Sequence, residues 1–167
     1  MAYFEHEGCT LHYEEYGHGE PLILIHGLGS SCQDWELQIP VLSRYYRLVV
    51  MDVRGHGRSD KPRERYSIAG FTADLVALIE HLQLPAAHVV GLSMGGMIAF
   101  QLAVDQPQML KSLCIVNSAP EVKVRSADDY WQWAKRWSLA RLLSLNTIGK
   151  ALGDRLFQLD LDVILTG

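Results

Sequence analysis

Four short apolar runs, separated by turns and by segments of helical period, constrain this chain more than any other feature. The runs lie within the predicted strands at residues 21–25, 47–52, 88–92 and 112–116. Continuous apolarity over the length of a strand is typical of strands that are buried on both faces, as in a parallel sheet. Because the runs alternate with helical segments, we expect right-handed βαβ crossovers. The predicted fold is α/β, with a mostly parallel sheet covered by helices on both sides.

Helical period is clearest in the segment that begins at Ser67. Five apolar residues recur there at helical spacing: Phe71, Leu75, Leu78, Ile79 and Leu82. Asp74 and Glu80 fall elsewhere on the helical wheel, so one apolar face is expected to pack on the sheet. Residues 94–104 are apolar almost all round, which predicts a buried helix closed by Pro107.

Two further elements are predicted near the amino terminus. Residues 3–7 and 10–16 are expected to form a hairpin of two short strands joined at Gly8. Residues 34–45 are expected to form a helix that Pro40 bends or shortens, because proline lacks the N–H group that an interior helical position donates.

Composition excludes several classes of protein. The chain has 167 residues, 49% of them hydrophobic, which is enough apolar surface for the core of one domain. No apolar run approaches the ~20 residues of a membrane-spanning helix. Residues 1–7 carry two acidic side chains and neither Lys nor Arg, so we expect no secretory signal. The net charge of −4 and the lack of a clustered basic face argue against nucleic acid as a partner.

The cysteines favour a reducing compartment. Cys9, Cys32 and Cys114 are odd in number and widely separated along the chain, which argues against a disulfide framework or a zinc site. We therefore expect reduced thiols that behave as small buried hydrophobic residues in a cytoplasmic protein. The sequence predicts neither a metal nor a cofactor.

Gly91, Ser93 and Gly95 form a G-x-S-x-G motif between a predicted strand and a predicted helix. A serine on such a sharp turn has a strained backbone and an exposed hydroxyl. The two glycines remove side chains that would collide with the neighbouring strand and helix. The free N–H groups at the start of the helix point to the place where an oxyanion would form. The motif predicts that Ser93 is a nucleophile.

A second glycine turn agrees with this interpretation. His26 and Gly27 lie directly after the first apolar run, where an oxyanion hole needs a loop with free backbone N–H groups. We assign the two donors as the N–H groups of Leu28 and Met94. The alternative is that both glycine turns are only tight connections. Both fall at the carboxyl ends of strands, however, where open α/β sheets bind their ligands.

A family resemblance rests on three motifs in order along the chain, at residues 26–27, 52–60 and 91–96. Together they resemble the first half of an α/β-hydrolase, most of all the branch of small esterases, enol-lactonases and cofactor-free perhydrolases. The resemblance implies a serine hydrolase that acts on a small carboxylic ester or lactone, with Ser93 as nucleophile and the backbone of Leu28 and Met94 as oxyanion hole. The residues implied to support this site are His26, Gly27, Gly91, Gly95 and Gly96.

The composition changes after Pro120. Three of the four tryptophans lie within seven residues, at positions 131, 133 and 137, in a segment similar to the start of the family's helical cap. We therefore expect an α/β-hydrolase core at residues 1–120, a partial helical cap at 121–158 and the start of a returning core strand at 159–167.

The sequence departs from the family at the catalytic base. The family's triad runs serine, acid, histidine along the chain, whereas all seven histidines here precede Ser93. The resemblance therefore implies a core that is truncated on its carboxyl-terminal side, either a fragment or one half of a split enzyme. We interpret His26 as a structural residue of the oxyanion loop and His56 as a turn residue. A triad of unusual chain order is the alternative.

Two further sets of residues are candidates with plain interpretations. Asn117 and Glu121 follow the last apolar run, where some relatives carry their acid, although Glu121 is more typical of a solvated loop. Trp35 and the tryptophans near residue 131 are interpreted as packing residues rather than substrate contacts. We expect the chain alone to be inactive or very weak, because a serine hydroxyl depends on an adjacent base. The rival hypothesis is a non-catalytic, hydrolase-like module that binds a small ligand or a partner chain.

The predicted edge of the sheet bears on the expected partners. In the resembled fold, the strand at 112–116 is followed in space by two strands that this chain lacks or only begins. An unpaired apolar edge recruits another chain, because its N–H and C=O groups need partners. We therefore expect a homodimer, or a complementing carboxyl-terminal chain, bound through residues 113–116. No membrane is expected as a partner.

Overall fold

The computed structural model describes residues 2–63, 65–120 and 131. The strands are β1 Ala2–His6, β2 Cys9–Tyr16, β3 Glu20–Ile25, β4 Tyr46–Met51, β5 Ala87–Leu92 and β6 Leu110–Val116. The α-helices are α1 Ile39–Leu42, α2 Ile68–His81 and α3 Met94–Asp105, and short 3-10 helices occupy Cys32–Trp35 and Pro107–Met109. These elements lie in the first of two compact units, Met1–Glu121; the second is Val122–Gly167.

The described strands form a sheet in the order β1-β2-β4-β3-β5-β6. β1, β2 and β4 pair antiparallel, whereas β4, β3, β5 and β6 run parallel to one another. The predicted α/β fold, with a mostly parallel sheet and flanking helices, is confirmed. The predicted hairpin turns at Glu7 and Gly8, whose φ angles of 49° and 72° suit a two-residue turn that matches the twist of the flanking strands.

Alternate residues of the strands face two separate cores. On one face of the sheet, Ile23 and Ile25 of β3 belong to a core that includes apolar residues of α2 and α3. On the other face, Leu22 and Leu24 pack with Trp35 of the first 3-10 helix. Trp35 is 7% exposed and is a packing residue of this second core. Because β3 buries both of its faces, its sequence is continuously apolar.

The helix predicted for residues 34–45 is wrong in its extent. The chain instead forms the 3-10 helix Cys32–Trp35 and then α1, which is four residues long. Pro40 lies in the first turn of α1, and the preceding Gln38 gives it no side-chain cap. Because proline cannot donate the backbone hydrogen bond of a helix interior, the segment is broken into two short pieces.

Asp74 contradicts the prediction that it lies off the packed face of α2. Its side chain is fully buried and accepts two hydrogen bonds of 2.6 Å from the Arg54 guanidinium, from Nε to Oδ2 and from Nη2 to Oδ1. His6 Nδ1 lies 2.7 Å from Asp74 Oδ1. A carboxylate can be buried where a charged partner of matching geometry replaces its hydration. A helical wheel of α2 cannot show this, because Arg54 lies outside the helix.

β6 is not the buried strand that its composition predicts. Ser112, Cys114 and Val116 are exposed, because β6 pairs with β5 alone among the described strands. The alternate residues of β6 pack partly on the core beneath α3. Cys114 therefore also corrects the expectation that the cysteines are buried, whereas Cys9 and Cys32 are buried.

The predicted burial of α3 holds only for part of the helix. Its buried residues are Met94, Gly95, Gly96, Ile98, Ala99 and Leu102. Val104, near its carboxyl end, is 77% exposed. A helix that covers a sheet has one side facing away from the sheet. Near the carboxyl end of α3, this outward side carries the apolar Val104.

Several predictions fall outside the described residues. These are the helical cap at 121–158, apart from Trp131, the returning strand at 159–167, and the surroundings of Glu121. Trp131 is 63% exposed. Across the described ranges, no helix combines the length and the apolarity needed to cross a bilayer.

Candidate active site

Ser93 occupies the sharp turn between β5 and α3. Its φ of 52° and ψ of −111° lie in a region that residues with side chains disfavour. Its N–H donates to the Val116 carbonyl at 2.9 Å, and its own carbonyl accepts from the Gly96 N–H at 3.0 Å. Hydrogen bonds to β6 and to α3 thus hold Ser93 in this strained conformation. The serine is exposed at the carboxyl end of the sheet.

Three glycines allow the turn to pack this closely. A Cβ on Gly91 would meet the backbone of Gly95 and would lie 2.6 Å from Gly96 N. A Cβ on Gly95 would meet the backbone of β3 and would lie 2.8 Å from the His26 carbonyl oxygen. A Cβ on Gly96 would lie 2.5 Å from Ser118 Cβ. These distances are far shorter than van der Waals contact, so only glycine fits at the three positions.

The loop after β3 runs beside Ser93. A Cβ on Gly27 would lie 3.6 Å from Ser93 Cβ. Within the part of the chain that the structure describes, the N–H groups of Leu28 and Met94 have no hydrogen-bond partner. The Met94 N–H is the first of α3, where the helix dipole favours negative charge. Two segments that flank Ser93 therefore each offer a free backbone donor.

His26 fixes this loop through both of its ring nitrogens. Nε2 accepts a hydrogen bond from the Val53 N–H at 3.0 Å, so Nδ1 carries the proton and donates to the Gly27 carbonyl at 2.7 Å. Burial lowers the pKa of His26, which keeps the ring neutral at physiological pH. Both nitrogens are occupied by backbone groups, and neither is hydrogen-bonded to Ser93.

His56 lies in the turn after β4 and contacts His26 rather than Ser93. Its Nδ1 is 3.1 Å from the Arg54 carbonyl oxygen, and its ring centroid is 5.2 Å from that of His26. All seven histidines belong to the described residues, and none of them forms a hydrogen bond with Ser93 Oγ there. Asn117 follows β6, is exposed and has a φ of 49°. Among the described residues it forms no hydrogen bond with Ser93 Oγ either.

Asp52 anchors the loops beyond the end of β4. In the sequence it stands directly after an apolar strand and at the start of the motif at residues 52–60. Its Oδ1 accepts from the Cys32 N–H at 2.6 Å, and its Oδ2 accepts from the Arg58 N–H at 2.9 Å. His12 Nδ1 lies 2.9 Å from the same Oδ2. Burial would raise the pKa of this carboxyl, but the hydrogen bonds from Arg58 and Cys32 outweigh burial and lower the pKa.

His12, Cys32 and Asp52 also have ligand atoms within 4.8 Å of one another, a spacing that could suit a metal ion. Each of these atoms is already engaged, since the Cys32 thiol donates to the Val50 carbonyl at 3.3 Å and His12 contacts Asp52. Burial raises the pKa of the Cys32 thiol, and a protonated thiol is a poor ligand. Hydrogen bonding accounts for the cluster without a metal.

A cavity of about 330 Å³ lies beside this cluster. It is lined by Cys32 and Asp52 together with Glu14 and Arg58, whereas Ser93 does not line it. The Arg58 guanidinium donates to Glu14 Oε1 at 2.7 Å. The cavity therefore has charged side chains in its wall and is separate from the strained turn.

The family model described as the alpha/beta hydrolase fold matches residues 20–149 of this chain. 3-Oxoadipate enol-lactonase 2 of Acinetobacter baylyi is 32% identical over 153 residues, which cover 90% of this chain and 55% of that protein. Est816, an N-acyl homoserine lactone degrading enzyme, is 38% identical with a TM-score of 0.69, over 70% of this chain and 45% of that one. The enol-lactonase of Burkholderia xenovorans LB400 is 28% identical with a TM-score of 0.74, over 90% and 58%. The chain spans about half the length of these relatives.

Proposed function

This chain belongs to the α/β-hydrolase family, and from that premise we propose that it carries the nucleophile and the oxyanion hole of a hydrolase of small carboxylic esters or lactones. The observation that carries the proposal is the strained backbone of Ser93, with a φ of 52°, next to two segments whose Leu28 and Met94 N–H groups have no partner among the described residues. Strain of this kind persists only where the surrounding structure enforces it. The lactone-acting enzymes among its relatives support the substrate class.

The proposed chemistry is acyl transfer. Ser93 Oγ attacks the carbonyl carbon of the substrate, the N–H groups of Leu28 and Met94 stabilise the tetrahedral oxyanion, and water then releases the acid. The hydroxyl proton needs an acceptor, and Ser93 Oγ has no imidazole beside it among the described residues. We therefore propose that the base and its orienting acid are supplied by polypeptide beyond this chain.

The edge strand β6 is the proposed binding place for that polypeptide. β6 pairs only with β5 among the described strands, and its Cys114 and Val116 are exposed. An edge of unpaired N–H and C=O groups favours the addition of a further strand. A second copy of this chain is the other occupant. For a homodimer, the amides of residues 113–116 become more protected from hydrogen exchange as protein concentration rises; concentration-independent exchange of a monomer contradicts the homodimer.

Complementation tests the proposed function directly. The carboxyl-terminal part of the Acinetobacter baylyi enol-lactonase, beyond the region that matches this chain, is added and the hydrolysis of p-nitrophenyl acetate is measured. We expect the rate to rise by about 10²-fold, because a positioned general base contributes 10²–10⁴. Ser93→Ala should remove the gain, and Ser43→Ala, a serine of the α1 terminus, should keep it. A gain that survives Ser93→Ala, or binding of the two chains without any gain, contradicts the proposal.

A non-catalytic module is the second candidate, favoured by the lack of a described imidazole at Ser93. Such a module would bind an ester or lactone through the same free N–H groups without cleaving it. It predicts that a lactone binds equally well to the parent chain and to Ser93→Ala, and that complementation adds no turnover. Binding can be followed by calorimetry with an N-acyl homoserine lactone.

A further inference from the structure

A second serine of this chain has the partners that Ser93 lacks. Ser112 of β6 is in register with His88 of β5, and its Oγ lies 2.7 Å from His88 Nδ1. On the other side of the ring, His88 Nε2 lies 3.0 Å from Oε2 of Glu20, the first residue of β3. Ser112 and Glu20 are exposed. Three neighbouring parallel strands thus align a serine, an imidazole and a carboxylate near their amino ends, opposite to the end that carries Ser93.

The carboxylate determines which ring nitrogen can accept the serine proton. Glu20 also accepts a hydrogen bond from Lys111 Nζ at 2.9 Å, and the hydrogen bonds from His88 and Lys111 lower its pKa to about 2. An ionised carboxylate only accepts hydrogen bonds, so His88 Nε2 carries a proton. In the neutral ring, Nδ1 then presents its lone pair to the Ser112 hydroxyl.

The imidazole is also held by its neighbours. The ring centroid of Tyr46, on β4, lies 5.9 Å from that of His88 at an interplanar angle of 72°, which is a favourable edge-to-face contact. Among the described residues, the charged group in contact with His88 is Glu20 of β3, which Lys111 of β6 contacts in turn. A nucleophile bonded to a base that a third group orients is the arrangement by which hydroxyl groups are activated in proteins.

We propose that Ser112 is an acyl-accepting nucleophile distinct from Ser93, with His88 as its base and Glu20 as the residue that positions His88. Its open setting on the sheet fits small activated esters such as aryl acetates, which need no enclosing pocket. With p-nitrophenyl acetate, a bond forms between Ser112 Oγ and the carbonyl carbon, and the bond from that carbon to the nitrophenyl oxygen breaks. The nitrophenolate leaves, and the hydroxyl proton passes to His88 Nδ1 and then to solvent. The product is acetyl-Ser112.

Acetylation of the Ser93→Ala chain measures this site alone. After reaction with p-nitrophenyl acetate, trypsin releases residues 112–123, which contain both Ser112 and Ser118. Ser118 is an internal control, because its Oγ approaches the Ala119 carbonyl oxygen at 3.5 Å and no described imidazole. Hydroxylamine removes any thioester formed at Cys114 before mass spectrometry. We expect acetyl-Ser112 to exceed acetyl-Ser118 by about tenfold or more, the low end of what a positioned base contributes.

Two substitutions separate activation from simple exposure. His88→Phe keeps a ring against Tyr46 and removes the acceptor, so acetyl-Ser112 should fall to the level of Ser118. Glu20→Gln removes the charge of a side chain that is 61% exposed, and should lower acetyl-Ser112 several-fold without disturbing the fold. Glu15→Gln is its matched control, because the Glu15 carboxylate pairs with Arg47 on other strands, and it should leave acetylation unchanged.

Equal acetylation of Ser112 and Ser118 would overturn the proposal. Acetylation of Ser112 that persists in Glu20→Gln and in His88→Phe would overturn it as well, since exposure alone would then explain it. If His88→Phe does not fold, the result of Glu20→Gln against Glu15→Gln decides. The readout is the modified residue itself, so failure at Ser112 leaves the proposed role of Ser93 untouched.

Discussion

Ser93 follows the carboxyl end of β5, whereas Ser112 lies near the amino end of the neighbouring β6. Ser93 has a strained backbone and two free N–H donors beside it, but no imidazole among the described residues. Ser112 has an imidazole at 2.7 Å and a carboxylate behind it, but an ordinary strand conformation. The strained turn comes from one contiguous motif, whereas a base at a serine requires the register of several strands. The two requirements of a serine nucleophile are thus met separately at the two ends of one sheet.

The two ends also differ in how they are held together. At the carboxyl end, the ion pair of Arg54 with Asp74 and the hydrogen bonds of His26 are buried. At the amino end, Glu20 joins His88 and Lys111 at the surface. Buried polar groups are costly to leave without partners, whereas exposed groups regain water. Substitutions should therefore be severe at the carboxyl end and mild at the amino end.

Arg54→Ala gives the largest expected effect. It leaves the Asp74 carboxylate buried beside a vacant guanidinium site, and removal of one partner of a buried ion pair typically costs about 3–5 kcal/mol. Lys111→Ala, at the amino end, should change the free energy of unfolding very little. Urea denaturation of both variants measures the contrast, and equal losses would show that the two ends do not differ in this way.

Gly95→Ala tests the packing of the strained turn. The added Cβ would meet the backbone of β3, and because backbone has little freedom to move, we expect a loss of about 2–4 kcal/mol. Gly70→Ala is the matched control, since a Cβ there meets only the Ser67 side-chain oxygen at 3.3 Å. Gly70 lies in α2, where alanine is favoured over glycine by about 1 kcal/mol. A harmless Gly95→Ala would contradict the steric explanation of the motif.

The elements that could be predicted from the sequence are those with local causes. The continuous apolarity of β3 and the helical period of α2 are visible in consecutive residues, and so are the strand and helix that flank Ser93. The turn itself is visible because Gly91 and Gly95 are close to Ser93 in the chain. This is why the fold class and the position of the strained turn follow from the sequence.

The features that could not be predicted depend on pairings between distant segments. Asp74 lies on the buried side of α2 because Arg54, from the turn after β4, reaches it. His88 meets Glu20 and Ser112 only through the register of three strands. Along the chain, Glu20 lies 68 positions from His88 and Ser112 lies 24 positions from it. A pattern with a period of two or 3.6 residues cannot indicate contacts over such separations. The exposure of β6 likewise depends on which strands pair with it.

His26→Phe compares the imidazoles of the two ends. At the carboxyl end, the change leaves the buried Val53 N–H without its partner, and the Gly27 carbonyl keeps only the Ser30 N–H at 3.3 Å; the loss should be about 1–3 kcal/mol. His88→Phe should cost less, because the partners of His88 are exposed and can bind water. Thermal unfolding of the two variants under the same conditions measures the difference; a larger loss for His88→Phe would reverse the comparison.

The smallest expected effect is the loss of stability that follows protonation of Glu20 at low pH. Hydrogen bonds from His88 and Lys111 lower its pKa to about 2 from an ordinary 4.5. The stabilisation from these contacts is therefore complete above about pH 4.5 and is lost as pH falls toward 2. Nuclear magnetic resonance of the Glu20 carboxyl should show a midpoint near 2, raised toward the ordinary value by Lys111→Ala. An ordinary midpoint in the parent chain would mean that the contacts at the amino end do not persist in solution.

The rate of nitrophenolate release by this chain alone tests most directly whether an adjacent base, rather than backbone strain, decides which serine reacts. The parent chain, Ser93→Ala and Ser112→Ala are compared with p-nitrophenyl acetate, without a complementing chain. We expect Ser93→Ala to match the parent within about twofold and Ser112→Ala to be slower by about tenfold, since among the described residues Ser112 has an imidazole beside it and Ser93 has none. A parent chain more than about tenfold faster than Ser93→Ala would contradict this, and would show that His26 or His56 serves Ser93 after all.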